Sequence, residues 1–381
     1  MATPEEEIAA ALEQAREVAR MYADAEKVLL QRIAARIADD VDQADDDPSA
    51  WQAKRLAELG QLRREAERII ARLERAAKAA AQKSVLDAWA AGMHQRVIDA
   101  VLDVHNAKVR KRLERTLRDA RQLGSGQLIN PGQGVNELAR QAVEKLDAVH
   151  VGALRAVDDL YRQVIAETAG RVLTGAQTRR QAAQEVLDRL VARGITGFTD
   201  SSGRIWDLES YVAMAMRTAT ARAAVDGHLA SLRDAGIDLV IVSTTPYSCD
   251  RCDPWEGKIL TQNGTAGERP ETNVLTNEPI TVQVAATVAQ ARLDGLLHPQ
   301  CRHSLSAYLP GLTRPAPKPD VAADYGDTQE VRRLQRQARQ WGRRAAAAID
   351  PNSERKANAK IREYRARARE LVKTKGLRMP R

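Results

Sequence analysis

The sequence predicts a mostly α protein in three parts: an elongated N-terminal helical bundle, a small α+β module expected to be held by zinc, and a basic helical C-terminal tail. Three observations predict it. Hydrophobic residues make up 44% of the 381-residue chain, yet aromatics make up 3%, with Phe198 the single phenylalanine. Large aromatic side chains usually supply much of a core's buried area, so Ala, Leu, Val and Ile must do so here, as in thinly packed long helices. Apolar residues recur at steps of three and four over the first half of the chain and again near its end. Between 194 and 312 the texture changes to short β-type runs, and the three cysteines gather there. The implied segments are 1–126 (a long helical, coiled-coil-like region), 127–193 (helical), 194–312 (α+β), 313–327 (a linker) and 328–381 (the basic tail).

Thr3-Pro4-Glu5-Glu6 reads as a helix start, with a Thr cap, Pro at the first helical position and Glu three residues on. That helix should run to about Asp40. "DQADDDPSAW" breaks it, and Asp47-Pro48 starts another. Leu62, Ala66, Ile69, Leu73, Ala76 and Ala80 form one apolar stripe on a charged helix. Ile98, Leu102, His105, Val109 and Leu117 continue the pattern, with His105 read as a core histidine rather than a ligand. "INPGQG" is a turn cluster. Val135, Leu138, Ala142, Leu146, Val149, Val157, Leu160 and Val164 mark a second long amphipathic helix, and a shorter one follows from about Thr178 to Arg193.

"GITGFTDSSGRIWDL" suggests short strands around an Asp-Ser-Ser-Gly turn, before a helix over 208–234. In "AGIDLVIVSTT" the continuous apolar run Leu239–Val242 predicts a buried strand. A strand at Lys258–Thr261, a turn at Asn263-Gly264, a long weakly structured loop and a helix over 283–296 complete the module with "LHPQCRHSLSAYLPG". "TRPAPKPD" holds three prolines and should keep the linker extended. Two basic helical segments, about 328–349 and 353–373, split at Asp350-Pro351.

The net charge of +8 is a property of the tail. Residues 329–381 carry 17 Lys/Arg against 5 Asp/Glu, a net +12, which leaves −4 on the rest of the chain. Such a tail predicts a polyanionic partner, while a solvated helix face is the bland alternative. Arg332, Arg333, Arg336, Arg339, Arg343, Arg344, Arg362, Arg365 and Arg369 are the candidate phosphate contacts. With almost no aromatics among them, stacking on single strands is disfavoured, and non-specific contact with duplex phosphates fits better. No run of roughly 18 apolar residues predicts a membrane span. The acidic start "MATPEEEIAAALEQ" lacks the pattern of a secretory signal.

Cys249-x-x-Cys252 is a half-site for zinc, and His298-x-x-Cys301 offers the other half after 45 intervening residues. A Cys3His site of this kind would tie both ends of the long loop, and ion binding contributes directly to folding. His303 is the spare fourth ligand. Free cysteines packed as small hydrophobes and a redox Cys-x-x-Cys are the alternatives, although no thioredoxin-like βαβ pattern surrounds the pair. Three cysteines also make a poor disulfide framework and fit a reducing compartment. The deaminase, zincin, nucleophile-elbow and P-loop signatures are all missing. A structural zinc is therefore expected, with no catalytic residues.

The stretches "DSSGRIWDLESYVAMAMRT", "DPWEGKIL" and "HPQCRHSLSAYLPG", followed by "YGDTQEVRRLQRQARQWGRR" and "KIREYRARARELVKTKGLRMPR", resemble the phage minor capsid protein 2 family, relatives of MuF-type head morphogenesis proteins. The likeness rests on the order of Arg217-Thr218, a strand, Trp255-Glu256-Gly257-Lys258, His298-Pro299-x-Cys301-Arg302-His303, Tyr308-x-Pro310-Gly311 and the basic tail. It implies a low-copy structural protein of the virion interior, made in the host cytoplasm. The implied partners are the portal, capsid or scaffold proteins and double-stranded DNA. Self-association through the N-terminal helices stays open. The family transfers no active site. Many relatives carry an Arg/His segment where Cys249 and Cys252 stand, so the zinc expectation rests on this chain's own residues. A zinc-dependent nucleic-acid-processing enzyme and a DNA-binding or scaffolding protein not retained in the virion are the competing readings.

Overall fold

A computed structural model describes residues 4–42, 47–94, 131–173, 177–195, 198–199, 203, 205–299 and 301–377. The expected stripe from Ile98 to Leu117, with His105, lies outside these residues. The helices are α1 (Pro4–Asp42), α2 (Pro48–Ala57), α3 (Leu59–His94), α4 (Pro131–Leu173), α5 (Arg179–Val191), α6 (Leu208–Asp234), α7 (Val288–Leu293), α8 (Tyr325–Ala346) and α9 (Pro351–Thr374). The protein is mostly helical with a small sheet region, as the composition predicts. Two compact units divide it. One comprises Met1–Arg16, Ala80–Ala142 and Met214–Tyr325; the other comprises Glu17–Ala79, Val143–Ala213 and Gly326–Arg381.

Local chemistry sets the helix boundaries. The Asp47 side chain accepts from the Ser49 N–H ahead of Pro48, which starts α2. Thr178 and Gln181 form a capping box at α5. Asp350 accepts from the Asn352 and Ser353 N–H groups and starts α9. "INPGQG" is not wholly a turn, because α4 begins at Pro131, where proline's missing N–H costs nothing. In α3 the buried positions include Leu62, Ala66, Ile70, Leu73, Ala77, Ala81, Ser84 and Ala88, with Leu59, Val85 and Ala91 buried beside them. Ala76 is exposed, and Ile69 and Ala80 are half-buried. The predicted stripe alternates steps of four and three, a repeat averaging about 3.5 residues per turn. The buried line Leu62, Ala66, Ile70, Leu73, Ala77, Ala81, Ser84 and Ala88 instead steps nearer the roughly 3.6 residues per turn of a straight helix.

The first unit contains a four-stranded sheet in the order β7-β4-β3-β8. Its strands are β3 (Leu239–Val242), β4 (Ile259–Thr261), β7 (Ala286–Thr287) and β8 (Leu305–Ala307). β3 is antiparallel to β4 (Leu239 opposite Thr261) and to β8 (Val242 opposite Leu305), while β4 and β7 are parallel. All four residues of β3 are buried. Val240 and Val242 pack with Leu229, Leu232, Leu260, Leu296 and Leu305, whereas Leu239 packs with Val282 and Val284. Both faces are covered, which explains the unbroken apolar run.

The expected loop between the cysteine motifs is largely ordered. β5 (Gly267–Thr272) and β6 (Pro279–Val284) form an antiparallel hairpin. Its Val282 and Val284 are buried, while alternate β5 residues face outward and give the segment its polar composition. The helix expected over 283–296 shrinks to α7, because residues 283–284 finish β6 and Thr287 caps the helix. In the same unit α3 and α6 cross closely. A Cβ on Gly92 would lie 2.1 Å from the Ala224 carbonyl oxygen, and one on Gly227 would lie 2.4 Å from that of Trp89. The single Ser84 hydroxyl donates to the Ala11 carbonyl at 3.1 Å and pairs with the Thr220 hydroxyl at 2.9 Å.

The second unit packs Tyr22, Leu29, Leu30, Ile33, Ile37, Trp51, Leu146, Tyr161, Ile165, Leu187 and Ile195, all essentially inaccessible. The short strands β1 (Phe198–Thr199) and β2 (Ile205–Trp206) pair antiparallel. Its few aromatic hydroxyls and N–H groups find partners: Tyr161 donates to Asp40, the Trp51 indole donates to the Asp40 carbonyl at 2.8 Å, and Tyr22 meets His150 Nε2 at 2.7 Å. The basic helices α8 and α9 belong to this unit and contribute to its interior through Val331, Leu334, Ala338, Ala357 and Ala368.

Candidate functional site

Two tight turns carry the three cysteines in the first unit. Cys252 N–H and Asp253 N–H both donate to the Cys249 carbonyl at 2.9 Å, folding Cys249-x-x-Cys252 back on itself. Cys301 N–H donates to the His298 carbonyl at 2.9 Å, so His298-x-x-Cys301 makes the same kind of turn. Ser243 N–H to the Ser304 carbonyl, at 3.0 Å, extends the β3–β8 pairing toward both turns. The sequence-predicted donors therefore converge. Cys249 Sγ lies 3.0 Å from His298 Nε2, and Cys252 Sγ lies 3.6 Å from Cys301 Sγ. They form two overlapping triads that share Cys252, namely Cys249, Cys252 and His298, and Cys252, Cys301 and His303. The donor atoms of each triad lie within 4.8 Å of one another.

Cys252 is fully buried and belongs to the module's apolar core. Its hydrogen bond with Cys301, then burial, raises its thiol far above the usual range. Cys301 moves the other way, lowered first by the hydrogen bond from Cys252 and then by those from His303. Burial disfavours charge on His303, but its hydrogen bonds to Cys301 and Glu256 outweigh that and raise its pKa. Sequence reasoning missed Glu256, although it stands in the Trp255-Glu256-Gly257-Lys258 motif. Its buried carboxylate accepts from His303 Nε2 at 2.9 Å and from the Thr245 N–H at 2.8 Å, and Lys318 Nζ lies 3.3 Å away. A third donor cluster, Glu74, Asp147 and His150 in the second unit, already holds a cation: Lys78 Nζ lies 2.8 Å from Glu74 and 3.0 Å from Asp147.

The predicted phosphate contacts divide by exposure. Arg333, Arg336, Arg362, Arg365 and Arg369 are exposed, and Arg332, Arg339 and Arg344 are half-buried. Arg333 pairs with Glu330, and Arg339 lies 3.7 Å from Glu209. Arg344 donates to the Asp188 carbonyl at 3.0 Å and covers the Trp341 ring at 4.4 Å. Arg343 is only 7% exposed; it donates to Glu26 at 3.0 Å and meets Asp207 at 2.8 Å. It is thus an interior ion-pair partner and leaves the phosphate-binding set. Glu26 also accepts the Ile195 N–H at 2.7 Å. A side chain at Gly194, whose φ is +80°, would meet Glu26 at 2.7 Å. Thr218 merely donates back to the Met214 carbonyl within α6 at 2.7 Å.

No helix among the described residues is long and apolar enough to cross a membrane. The profile of the phage minor capsid protein 2 family matches residues 10–373. The chain is 28% identical over 223 residues to a protein named "Structural protein" from Lactococcus phage LL-H, covering 56% of this chain and 57% of that relative. It thus spans somewhat over half of the relative's length. No solved structure matches it significantly. The profile covers the helical first half as well as the cysteine-bearing module and the arginine helices, and the chain therefore belongs to the phage minor capsid protein 2 family.

Proposed function

We propose that this protein is a structural component of the virion interior, seated with portal and capsid or scaffold proteins during head assembly, and that it touches packaged double-stranded DNA without reading its sequence. The family match over nearly the whole chain carries this reading. The structural name of the Lactococcus phage relative supports the same role.

The arginine helices supply a physical basis for DNA contact. Arg362, Arg365 and Arg369 recur at steps of three and four on α9, all exposed, so they share one face. Guanidinium groups pair bidentately with phosphate oxygens, and each neutralised phosphate releases condensed counterions. Trp341 and Tyr364 of these helices already have arginines over their rings, at 4.4 and 5.7 Å, which favours backbone contact over base stacking. Duplex binding should therefore weaken steeply with salt and be indifferent to sequence. In the triple variant Arg362→Gln, Arg365→Gln, Arg369→Gln, the slope of log affinity against log salt should shrink by about 3. An unchanged slope removes the DNA contact. Mass spectrometry of purified particles tests the virion assignment, which falls if no copies are found.

A further inference from the structure

We propose that Cys249, Cys252, His298 and Cys301 hold one zinc ion, and that His303, backed by Glu256, acts from outside the ligand set to orient Cys301. The site belongs to the first unit and the arginine helices to the second, and the proposal goes beyond the head-protein reading.

Four features assign the ligands. Zinc–sulfur bonds of about 2.3 Å at tetrahedral angles place two sulfurs about 3.8 Å apart, and Cys252 and Cys301 already stand 3.6 Å apart. The two ligand pairs sit on matching turns, in each of which the last residue's N–H donates to the carbonyl of the first at 2.9 Å. His298 Nδ1 lies 2.7 Å from the Pro299 carbonyl, which can only accept, so Nδ1 carries the proton and Nε2 keeps its lone pair. That Nε2 lies 3.0 Å from Cys249 Sγ, and spreading the pair to about 3.6 Å would seat both on one tetrahedral ion. Cys252 belongs to both donor triads, and a divalent ion there draws the Cys249–His298 pair and Cys301 onto a common centre.

His303 is arranged differently. Its ring Nδ1 lies 3.3 Å from Cys301 Sγ and its backbone N–H lies 3.4 Å from the same sulfur. Ring and backbone thus converge on one thiolate from one side, and Nε2 is fixed by Glu256 at 2.9 Å. Outer partners of this kind set a ligand's direction and typically change metal affinity 10- to 100-fold. Four protein ligands leave no open position, so the ion is structural. It would tie the loop after β3 to the approach to β8, in a module whose apolar core is built mainly of Val, Leu and Ala.

The test uses full-length protein purified without chelating tags. Elemental analysis after dialysis should give one zinc per chain. Cobalt substitution should give the intense visible bands of a tetrahedral thiolate-rich site. His303→Gln and Glu256→Gln should keep the cobalt spectrum and one ion per chain, with zinc affinity about 10- to 100-fold lower in chelator competition. His298→Gln should change the spectrum, and Cys252→Ser should abolish binding. If His298→Gln keeps the spectrum while His303→Gln loses it, the two histidines' roles are reversed and the assignment is overturned. Wild-type protein that binds neither zinc nor cobalt, or that carries a Cys252–Cys301 disulfide when isolated under reducing conditions, overturns the site. Both wild-type readouts remain decisive should any variant fail to fold.

Discussion

Replacing Arg343 with Ala would strand Glu26 beside Asp207 in an interior that already raises the Glu26 pKa by burial. Breaking one side of a buried pair typically costs about 3–5 kcal/mol, so Arg343→Ala should lower the melting temperature sharply. The double variant Glu26→Leu, Arg343→Met removes both charges and should recover much of that loss, as thermal denaturation can show. His228 is a second buried polar residue. Neither ring nitrogen has a hydrogen-bond partner among the described residues, and burial lowers its pKa to about 4. The unfolded chain takes up this proton near pH 6.5 and the folded chain does not until about pH 4. Stability present above pH 6.5 should therefore drain away between those values, by about 3 kcal/mol in all. Denaturant unfolding of His228→Leu against pH should show a correspondingly flatter acid limb. The clustered cysteines and His298 were legible as a motif, because their spacing itself encodes the turns. Arg343 was not distinguishable from its neighbours, since its partners Glu26 and Asp207 lie far away along the chain.

The α3–α6 crossing tolerates no side chain at its centre. Gly92→Ala would press a methyl group into the Ala224 carbonyl and the His228 N–H, which lie 2.1 and 2.9 Å from the new Cβ. Because backbone atoms cannot swing away, overpacking of about 1–3 kcal/mol or more is expected, visible as a lower denaturation midpoint. Gly60→Ala, which meets only the end of the Arg64 side chain at 3.5 Å, should be near neutral. Helix starts were legible at the capping residues Asp47, Thr178 and Asp350, but not at Thr287. The α3 register slipped by one residue because an Ala-rich helix offers apolar candidates on several faces. The β5–β6 hairpin stayed hidden because only β6 buries apolar side chains, while β5 reads as loop.

Charge counting along the chain marks residues 329–381 as a basic tail, and packing ties them into the second unit. Val331, Leu334, Ala338 and Arg343 are interior to the second unit, the Ile349 N–H donates to Gln184 at 2.7 Å, and Arg180 holds the Ile349 carbonyl. Deleting 329–381 should therefore do more than abolish DNA binding. It should leave residues 17–79 and 143–213 open to limited proteolysis at sites the full chain protects, while the triple glutamine variant on α9 stays resistant. The family membership was legible from the order of short motifs, but the discontinuous composition of each unit was not, because no local pattern encodes which distant helices pack together. Glu26 and Arg343 stand 317 positions apart. At about 5–20 residues per second, a ribosome needs roughly 15–60 seconds to deliver the second after the first. During that interval the nascent N-terminal helices lack a cation they will later enclose, so the second unit can close only after Arg343 has been made.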